Sequence, residues 1–483
     1  MTRHKVNRRA VMQGTLALSA TMMTPVGART QNQSDVVVIG AGLSGLNAAL
    51  LLEGEGYSVT VLESRNRIGG RVFTLPNVPG QAEAGGNGMG AGYARMRDTA
   101  DRYGVELFDY FPRHMMSMKQ RTMVMDGTIV SPEDWLTHPR NPFPEGQKET
   151  MPWMFFNPLV SSNNPLSTAA DWIEPKFASV DQSVYDFMKD QGVSDEIIDL
   201  TYNTNVLYGL SAYEASILMA YFNDKNYLHQ FEIEPVQLVA RGGNQRIPEA
   251  MAGALKNEIR FKTRVIGIRS EVGAVEVYCH DGSVYRAKNV ICSIPFPVLN
   301  FVKMDPILTG VQAEAVNSIK YTPLTQVHLV PKKRYWEDDG LPPSMWTDGL
   351  AGSMTAYRFD ESPDEITSFT CWAHGYIARY LDRMPEKDAM KIVVKSVEEA
   401  RPAAKGKIEA AAIKSWGLDP FSGGKYMDWA PGQIHEYLLE MIKPHGRVHF
   451  CGEHTGLIDS GMEGAMESGE RVALEILDST FPG

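Results

Sequence analysis

Cysteine is scarce in this chain of 483 residues: there are four, Cys279, Cys292, Cys371 and Cys451. None stands in a Cys-x-x-Cys spacing, so dithiol and zinc-ribbon motifs are absent. The histidines show no metal-ligand spacing either. Cys292 and Cys451 lie in apolar, strand-like runs and read as buried small hydrophobes, and no disulfide is indicated. Outside the N-terminal leader no run of 18 apolar residues occurs, so no membrane span is expected. There is no internal repeat. Positive charge is in deficit, with 47 Lys and Arg against 58 Asp and Glu and a net charge of −11. Such a surface repels nucleic acid and attracts cations. Hydrophobic content of 43% and charged content of 22% are those of an ordinary globular protein. The length allows two or three domain-sized bodies.

Glycine, in contrast, is placed with purpose. Gly40-Ala41-Gly42-Leu43-Ser44-Gly45 follows the β-branched run Asp35-Val36-Val37-Val38-Ile39 and precedes the helix-forming Leu46-Asn47-Ala48-Ala49-Leu50-Leu51-Leu52. Strand, glycine turn and helix are the context of a dinucleotide fingerprint. The glycines allow a tight turn and close approach to a pyrophosphate, which the free N–H groups of the helix N-terminus then face. Gly40, Ala41, Gly42, Ser44 and Gly45 are therefore candidate cofactor-binding residues. A second strand, Ser58-Val59-Thr60-Val61-Leu62, ends in Glu63, 18 residues past Gly45. That spacing suits a carboxylate that binds a ribose.

Directly afterwards, Arg65, Arg67 and Arg71 flank a second glycine turn, Gly69-Gly70. Glycines permit close backbone approach, and guanidinium groups can fork onto phosphate oxygens. The run Glu63 to Arg71 resembles, position for position, the E-x-R-x-R-x-G-G-R element of the flavin-containing amine oxidoreductases, the family of monoamine and polyamine oxidases. The resemblance implies an α/β fold, with a Rossmann-like FAD-binding domain and a discontinuous α+β substrate domain. It implies that Glu63 binds the adenosine ribose, that Arg65, Gly69 and Gly70 line the cofactor, and that Arg71 lies by pyrophosphate and flavin. Glu83-Ala84-Gly85-Gly86, followed by Asn87, resembles the element that passes the flavin ring. The family usually has an aromatic residue nearby; here Asn87-Gly88-Met89-Gly90 follows.

Further segments extend the resemblance. Arg241-Gly242-Gly243-Asn244, before Ile247-Pro248-Glu249-Ala250-Met251, is similar to a glycine-led helix start. Thr263 to Ile268 reads as a strand by alternation, and in the family the matching Val265 contacts the adenine. Arg447 to Glu453 reads as a buried strand ending in a carboxylate. Ser460-Gly461-Met462-Glu463-Gly464 then opens a helix that, in the family, points its N-terminus at the flavin pyrimidine. A helix N-terminus favours the negative charge of a reduced flavin. The FAD-binding domain is thus expected over 35–100, 236–299 and 413–483, and the substrate domain over 101–235 and 301–412. The segment Ala287 to Pro295 reads as a strand, and Lys387 to Ala400 as an amphipathic helix.

The chemistry follows from the same likeness. Trp416 to Tyr426 resembles the segment beside the flavin ring. Lys425 stands where monoamine oxidases carry the cysteine that bonds to FAD; Lys cannot form that thioether, so FAD is expected to be non-covalent. Tyr426 matches one wall of the aromatic cage through which the amine reaches the flavin, and Trp416 packs near the isoalloxazine. The second aromatic is replaced by Gly461, leaving the cage half open. The family's water-bridged lysine is replaced by Gln326, with His328 on the same side of a strand. Its loss implies slow reaction with oxygen and electron delivery to another acceptor, such as a periplasmic cytochrome or quinone, with oxygen as the alternative.

The reaction so implied is oxidative deamination of a small-molecule amine. Hydride passes from the carbon next to nitrogen to flavin N5, and the resulting imine is hydrolysed to a carbonyl compound. An L-amino-acid oxidase is the near alternative and would need a guanidinium for the carboxylate, with Arg95, Arg97 and Arg113 as candidates. A flavin-dependent carbon–carbon desaturase and a non-enzymatic FAD-binding module are the others. The leader places Arg8-Arg9 before a mildly apolar run and small residues at Val26-Gly27-Ala28, a twin-arginine export signal over 1–28. Its removal would take four basic residues and no acids, leaving a net charge of −15. A periplasmic enzyme is expected, with a homodimer left open.

Overall fold

The computed structural model describes residues 30–359 and 364–479. The twin-arginine leader expected over 1–28 lies outside the described residues. Two seven-stranded sheets organise the rest. In the first, strand Thr30–Ile39 lies between Val59–Leu62 and Val284–Cys292 and runs parallel to both. One half of Val284–Cys292 pairs with Ala274–Cys279 antiparallel, while its other half pairs with Val448–Phe450 in parallel. The register sets Val37 opposite Thr60 on one side and Val290 on the other. Val36, Val37 and Val38 are fully buried, as a central parallel strand covered on both faces requires.

Helices cover this sheet. Leu43–Gly54 packs against Gly461–Asp478, and the two approach closely because a Cβ at Gly469 would stand 2.4 Å from the Ser44 carbonyl. Four strand ends, Ile39, Leu62, Cys292 and Phe450, reach one edge of the sheet together. Open parallel sheets bind ligands outside the carboxyl ends of their strands.

The second sheet runs in the order Ile408–Ser415, Leu324–Pro331, Ser368–His374, Ser353–Tyr357, Ser344–Thr347, Arg121–Met125, Thr128–Val130. Helix Glu386–Ala400 covers one face with Ala389, Val393, Val397 and Ala400, the spacing of one helical stripe. Two details differ from the expected boundaries. Strand Lys303–Asp305 joins the first sheet by pairing with Val265–Glu271, and Ile408–Ser415 belongs to the second sheet across residue 413. The segment 132–233 is helical, ending in the long helix Ile217–Ile233. All four cysteines are buried and unpaired. Among the described residues, no helix is long and apolar enough to cross a membrane, and no cluster of His, Cys, Asp and Glu is arranged to hold a metal.

Candidate active site

A cavity of about 330 Å³ opens at the shared edge of the first sheet, lined by the residues that follow each strand end. The three fingerprint glycines do different things there. Gly40 adopts φ +105°, a conformation that only glycine takes readily. A Cβ on Gly45 would sit 2.1 Å from the Gly40 carbonyl, so this glycine closes helix onto strand. Gly42 has φ −83° and ψ 178°, open to any residue, and a Cβ there would meet only Gly70 Cα at 4.0 Å. Its missing side chain leaves room in the cavity rather than in the protein. Gly42, Leu43 and Ser44 all face that space, and the helix start has neither a side-chain cap nor an acid in its first turn. Its N–H groups are available to an anion.

Glu63 ties the two glycine turns together. The Ala41 N–H donates to its Oε2 at 2.9 Å and the Arg65 N–H to its Oε1 at 2.7 Å. A carboxylate has about four acceptor positions, so Glu63 keeps capacity for a diol on the cavity side that it lines. Val265 and Arg264 close the same end. The arginines serve differently from the free phosphate clamps that the sequence suggests. Arg65 lines the cavity, but its guanidinium is held by Asp419 at 2.5 Å and Ser422 at 2.9 Å. Arg67 folds back onto the carbonyls of Ile68 and Gly70 and stacks on Phe73. These cations stiffen the second turn.

Arg71 and Glu453, 382 residues apart in sequence, form an ion pair at 2.9 Å on the wall, and Arg71 also donates to the Lys425 carbonyl at 3.0 Å. Burial raises the Glu453 carboxyl, and the Arg71 charge opposes that rise. Gly461 and Met462 bring a second helix N-terminus to the cavity, again without a side-chain cap. The first-turn Glu463 is turned away, accepting from the N–H groups of Arg95 and Met96. Gly461 has φ +60°, which accounts for glycine at that position. Gly86, at φ +76°, packs against Met462 and Val72, and its carbonyl accepts from Asn244 Nδ2 at 2.5 Å. Asn87 lines the cavity beside it. All the residues expected to hold the cofactor except Ala41 and Gly45 line one cavity. Two uncapped helix starts, an acceptor for a ribose diol and a gap at Gly42 fit a dinucleotide such as FAD.

Trp416 is buried on the wall and donates its indole N–H to the Ala84 carbonyl at 2.8 Å. Tyr426 lines the cavity, and its hydroxyl donates to the Leu207 carbonyl at 2.7 Å, which fixes the ring. Lys425 places its ammonium 4.2 Å from the Tyr426 ring centroid and 3.4 Å from His374 Nε2, and burial lowers its pKa to about 8. His374 is itself driven well below its usual range by burial and by Lys425, and it stacks on Trp372, another wall residue.

Gln326 lies one step behind the wall. It shares a strand face with Leu324, pairs in register with Trp372, and is fully buried with both side-chain polar atoms unpartnered. Leu324 and Trp372 line the cavity, and Gln326 does not. His328, next along that face, meets Thr370 Oγ1 at 3.1 Å and is kept neutral by burial.

A second chamber of about 660 Å³ adjoins the first, with Gly88 and Tyr93 on the walls of both. Its side is one face of helix Ile217–Ile233: Ala220, Asn223, Asp224, Tyr227, Leu228 and Phe231. These positions recur at helical spacing, a pattern that could have marked the face in the sequence. Tyr208 stands between the two spaces, its ring 6.1 Å from that of Tyr426. Tyr93 approaches Gly461, where a Cβ would be 3.3 Å from its hydroxyl. The wall that Gly461 leaves bare thus receives an aromatic ring from a distant segment. The glycines 88, 90 and 92 are also explained, because a Cβ at each would collide with Gln237 or Gln230.

None of the candidate carboxylate-binding arginines reaches either space. Arg95 is paired with Asp459, Glu463 and Glu470; Arg97 donates to the Ala91 carbonyl and Arg113 to the Arg358 carbonyl.

Known proteins are similar to this chain over most of its length. The chain is 24% identical over 465 residues to an L-amino-acid oxidase of Protobothrops flavoviridis, covering 93% of this chain and 90% of that protein. An L-amino-acid oxidase of Naja atra is likewise 24% identical, over 92% of this chain and 88% of that one. Among solved structures, cyclohexylamine oxidase from Brevibacterium oxydans matches with a TM-score of 0.73 at 20% identity, over 93% of this chain and 100% of that one. Putrescine oxidase bound to putrescine matches with a TM-score of 0.72 at 20% identity, over 92% and 99%. These structures share the fold. The family model of the flavin containing amine oxidoreductases matches residues 43–477, and the chain belongs to that family.

Proposed function

We propose that this FAD-dependent amine oxidoreductase acts on an amine that bears no carboxylate, binds its FAD without a covalent bond, and works in the periplasm with an electron carrier as acceptor. The observation that carries the substrate reading is the charge on the chamber wall. Its lining residues include Asp224 and no Lys or Arg. Burial lowers the pKa of the lining His114 to about 4, so it is neutral at physiological pH. An amino-acid carboxylate would meet no cation there, whereas an ammonium would meet an anion and aromatic faces. The three arginines that an amino-acid oxidase could have used are bound elsewhere. Gly461, which replaces the second cage aromatic, is explained by its backbone conformation.

Bound in the cavity, FAD would supply the two-electron acceptor. The chain's contribution is to position and to desolvate. Tyr426, locked through its hydroxyl, offers a ring face to the incoming nitrogen, with Tyr208 beside it. The aromatic wall excludes water and lowers the amine's pKa, because a dry site disfavours its charge. A neutral amine then needs no dedicated protein base before losing hydride from the neighbouring carbon. Water later converts the imine to a carbonyl compound.

Lys425 replaces the cysteine of monoamine oxidases and supports the non-covalent reading. The twin-arginine pattern at Arg8-Arg9 supports export of the folded, loaded protein. Gln326 puts a neutral amide where the family's lysine would put a charge, which supports an acceptor other than oxygen. After anaerobic reduction, wild-type protein mixed with air in a stopped-flow instrument is expected to reoxidise slowly. Gln326→Lys is expected to accelerate this on the order of tenfold or more, the size of effect that a well-placed charge gives. Rapid reoxidation of the wild type contradicts the acceptor reading.

A further inference from the structure

Lys425 sets a cation in the cavity wall that the reaction described so far does not use. It lines the space together with Trp416, Tyr426, Gly461 and Met462. Glu63 and Val265 take the adenosine of a bound FAD and the helix start after Gly42 its diphosphate, which leaves this part of the cavity for the isoalloxazine. The ammonium is held 4.2 Å from the Tyr426 ring centroid and 3.4 Å from His374 Nε2. The His374 ring also bonds the Trp372 backbone, and a neutral imidazole that donates there keeps a lone pair for the ammonium.

Neither partner carries a negative charge. Burial keeps His374 neutral and pushes the Tyr426 hydroxyl well above its usual range. The neighbouring cations are matched, Arg65 and Lys414 by Asp419, and Arg71 by Glu453. Among the described residues no carboxylate pairs with Lys425. Asp428, which acts on it from a distance, is fully enclosed, accepts from Thr322 Oγ1, and is itself raised to about 7 by burial. The hydroxyls of Tyr208 and Tyr321 nearby are also raised by burial and stay neutral. Burial lowers the pKa of Lys425 to about 8, so the side chain is charged at neutral pH. An unmatched charge in a dry site is unfavourable until an opposite one forms beside it. A flavin ring that accepts a hydride gains one negative charge, which is what this wall lacks.

We infer that Lys425 is the counter-ion of the reduced flavin: its ammonium, aligned by His374, pairs electrostatically with the negative charge that FAD gains with the hydride, and so raises the cofactor's reduction potential. The inference needs FAD in the cavity and no particular substrate or acceptor. The hydride brings two electrons and one proton, and the ring becomes an anion. In alkaline solution, where Lys425 is neutral beforehand, it takes one proton from solvent to match that charge. A higher potential also makes the reduced ring a weaker reductant, in keeping with a carrier rather than oxygen as acceptor.

The test reduces the flavin-loaded protein slowly and without oxygen beside a reference dye of known potential. Visible spectra then give the ratio of oxidised to reduced flavin at each pH. At neutral pH Lys425→Met is expected to shift this equilibrium about tenfold or more towards oxidised flavin, about 30 mV or more for a two-electron couple. His374→Leu, which removes the group that aligns the ammonium, is expected to give part of that shift. The Lys425 charge is present below about pH 8 and lost above it. The gap between wild type and Lys425→Met is therefore expected to be full around neutrality and to close in alkaline solution; Asp428 and the tyrosines are common to both proteins and cancel. Lys425→Arg stays charged throughout, so its advantage over Lys425→Met is expected to persist there. If the variants fail to fold or to hold flavin, the wild type alone decides: its potential is expected to fall more steeply with pH in mildly alkaline solution than around neutrality, by one further proton per two electrons. Equal potentials for wild type and Lys425→Met at neutral pH, or a wild-type slope that does not steepen, overturn the inference.

Discussion

A Gly42→Val protein is expected to fold, to melt cooperatively and to purify without flavin. The prediction comes from the separate duties of the three fingerprint glycines. At Gly42 the backbone is extended, a conformation that suits a β-branched residue, and a Cβ would approach only Gly70, at 4.0 Å. The protein itself has room for the side chain. The added methyl groups would instead occupy the cavity over the uncapped N–H groups of helix Leu43–Gly54, where a diphosphate must come close. Losing even two charge-assisted hydrogen bonds lowers affinity by on the order of 100-fold or more. The ratio of visible to ultraviolet absorbance reads the flavin content, and circular dichroism with a thermal melt reads the fold. Gly45→Val is the contrasting variant. A Cβ there lies 2.1 Å from the Gly40 carbonyl, so that protein is expected to lose stability itself. A yellow Gly42→Val protein would show that the fingerprint turn does not hold the cofactor.

Tyr426→Ala is expected to keep its flavin and to lose on the order of 100-fold in the rate of anaerobic bleaching by a good amine. The ring is fixed by the bond from its hydroxyl to Leu207 and is flanked by Tyr208 and Lys425. Removing it takes away the surface that aligns the nitrogen and lets water into the site. Loss of a near-attack geometry costs about this much. Tyr426→Phe separates orientation from hydroxyl chemistry. The ring remains and only its tether is lost, so a few-fold decrease is expected, in line with one neutral hydrogen bond of about 1 kcal/mol. A Tyr426→Ala protein that bleaches at the wild-type rate would remove Tyr426 from the substrate path. A Tyr426→Phe protein as impaired as the alanine variant would mean that the hydroxyl itself takes part.

The sequence reveals those parts of the site whose residues are close together in the chain. Gly40 to Gly45, the strand before them and Glu63 form one βαβ unit, in which spacing dictates geometry, and the structure joins Ala41 to Glu63 by a hydrogen bond. The run from Glu63 to Arg71 is similarly local. The functions of its side chains are not, because a guanidinium's partner depends on what folds beside it. Arg65 is claimed by Asp419, and Arg71 by Glu453, through contacts spanning more than 350 residues. The chamber was hidden for the same reason. Its wall is drawn from segments near residues 90, 111, 160, 208 and 224, which no local spacing brings together. The bare side at Gly461 could be read from the sequence, but the ring of Tyr93 that approaches it could not. Gln326 is a mixed case. The sequence register puts it on strand Leu324–Pro331 beside the site, and the structure sets it just behind the wall, with an unpartnered amide.

The most direct measurement is anaerobic titration of the purified, yellow protein with amines and, separately, with amino acids, followed at the visible flavin band. Cationic amines are expected to bleach the band, amino acids are not, and acid precipitation is then expected to release all of the flavin into the supernatant. A band that persists under every amine, or that only amino acids bleach, would contradict the proposed function.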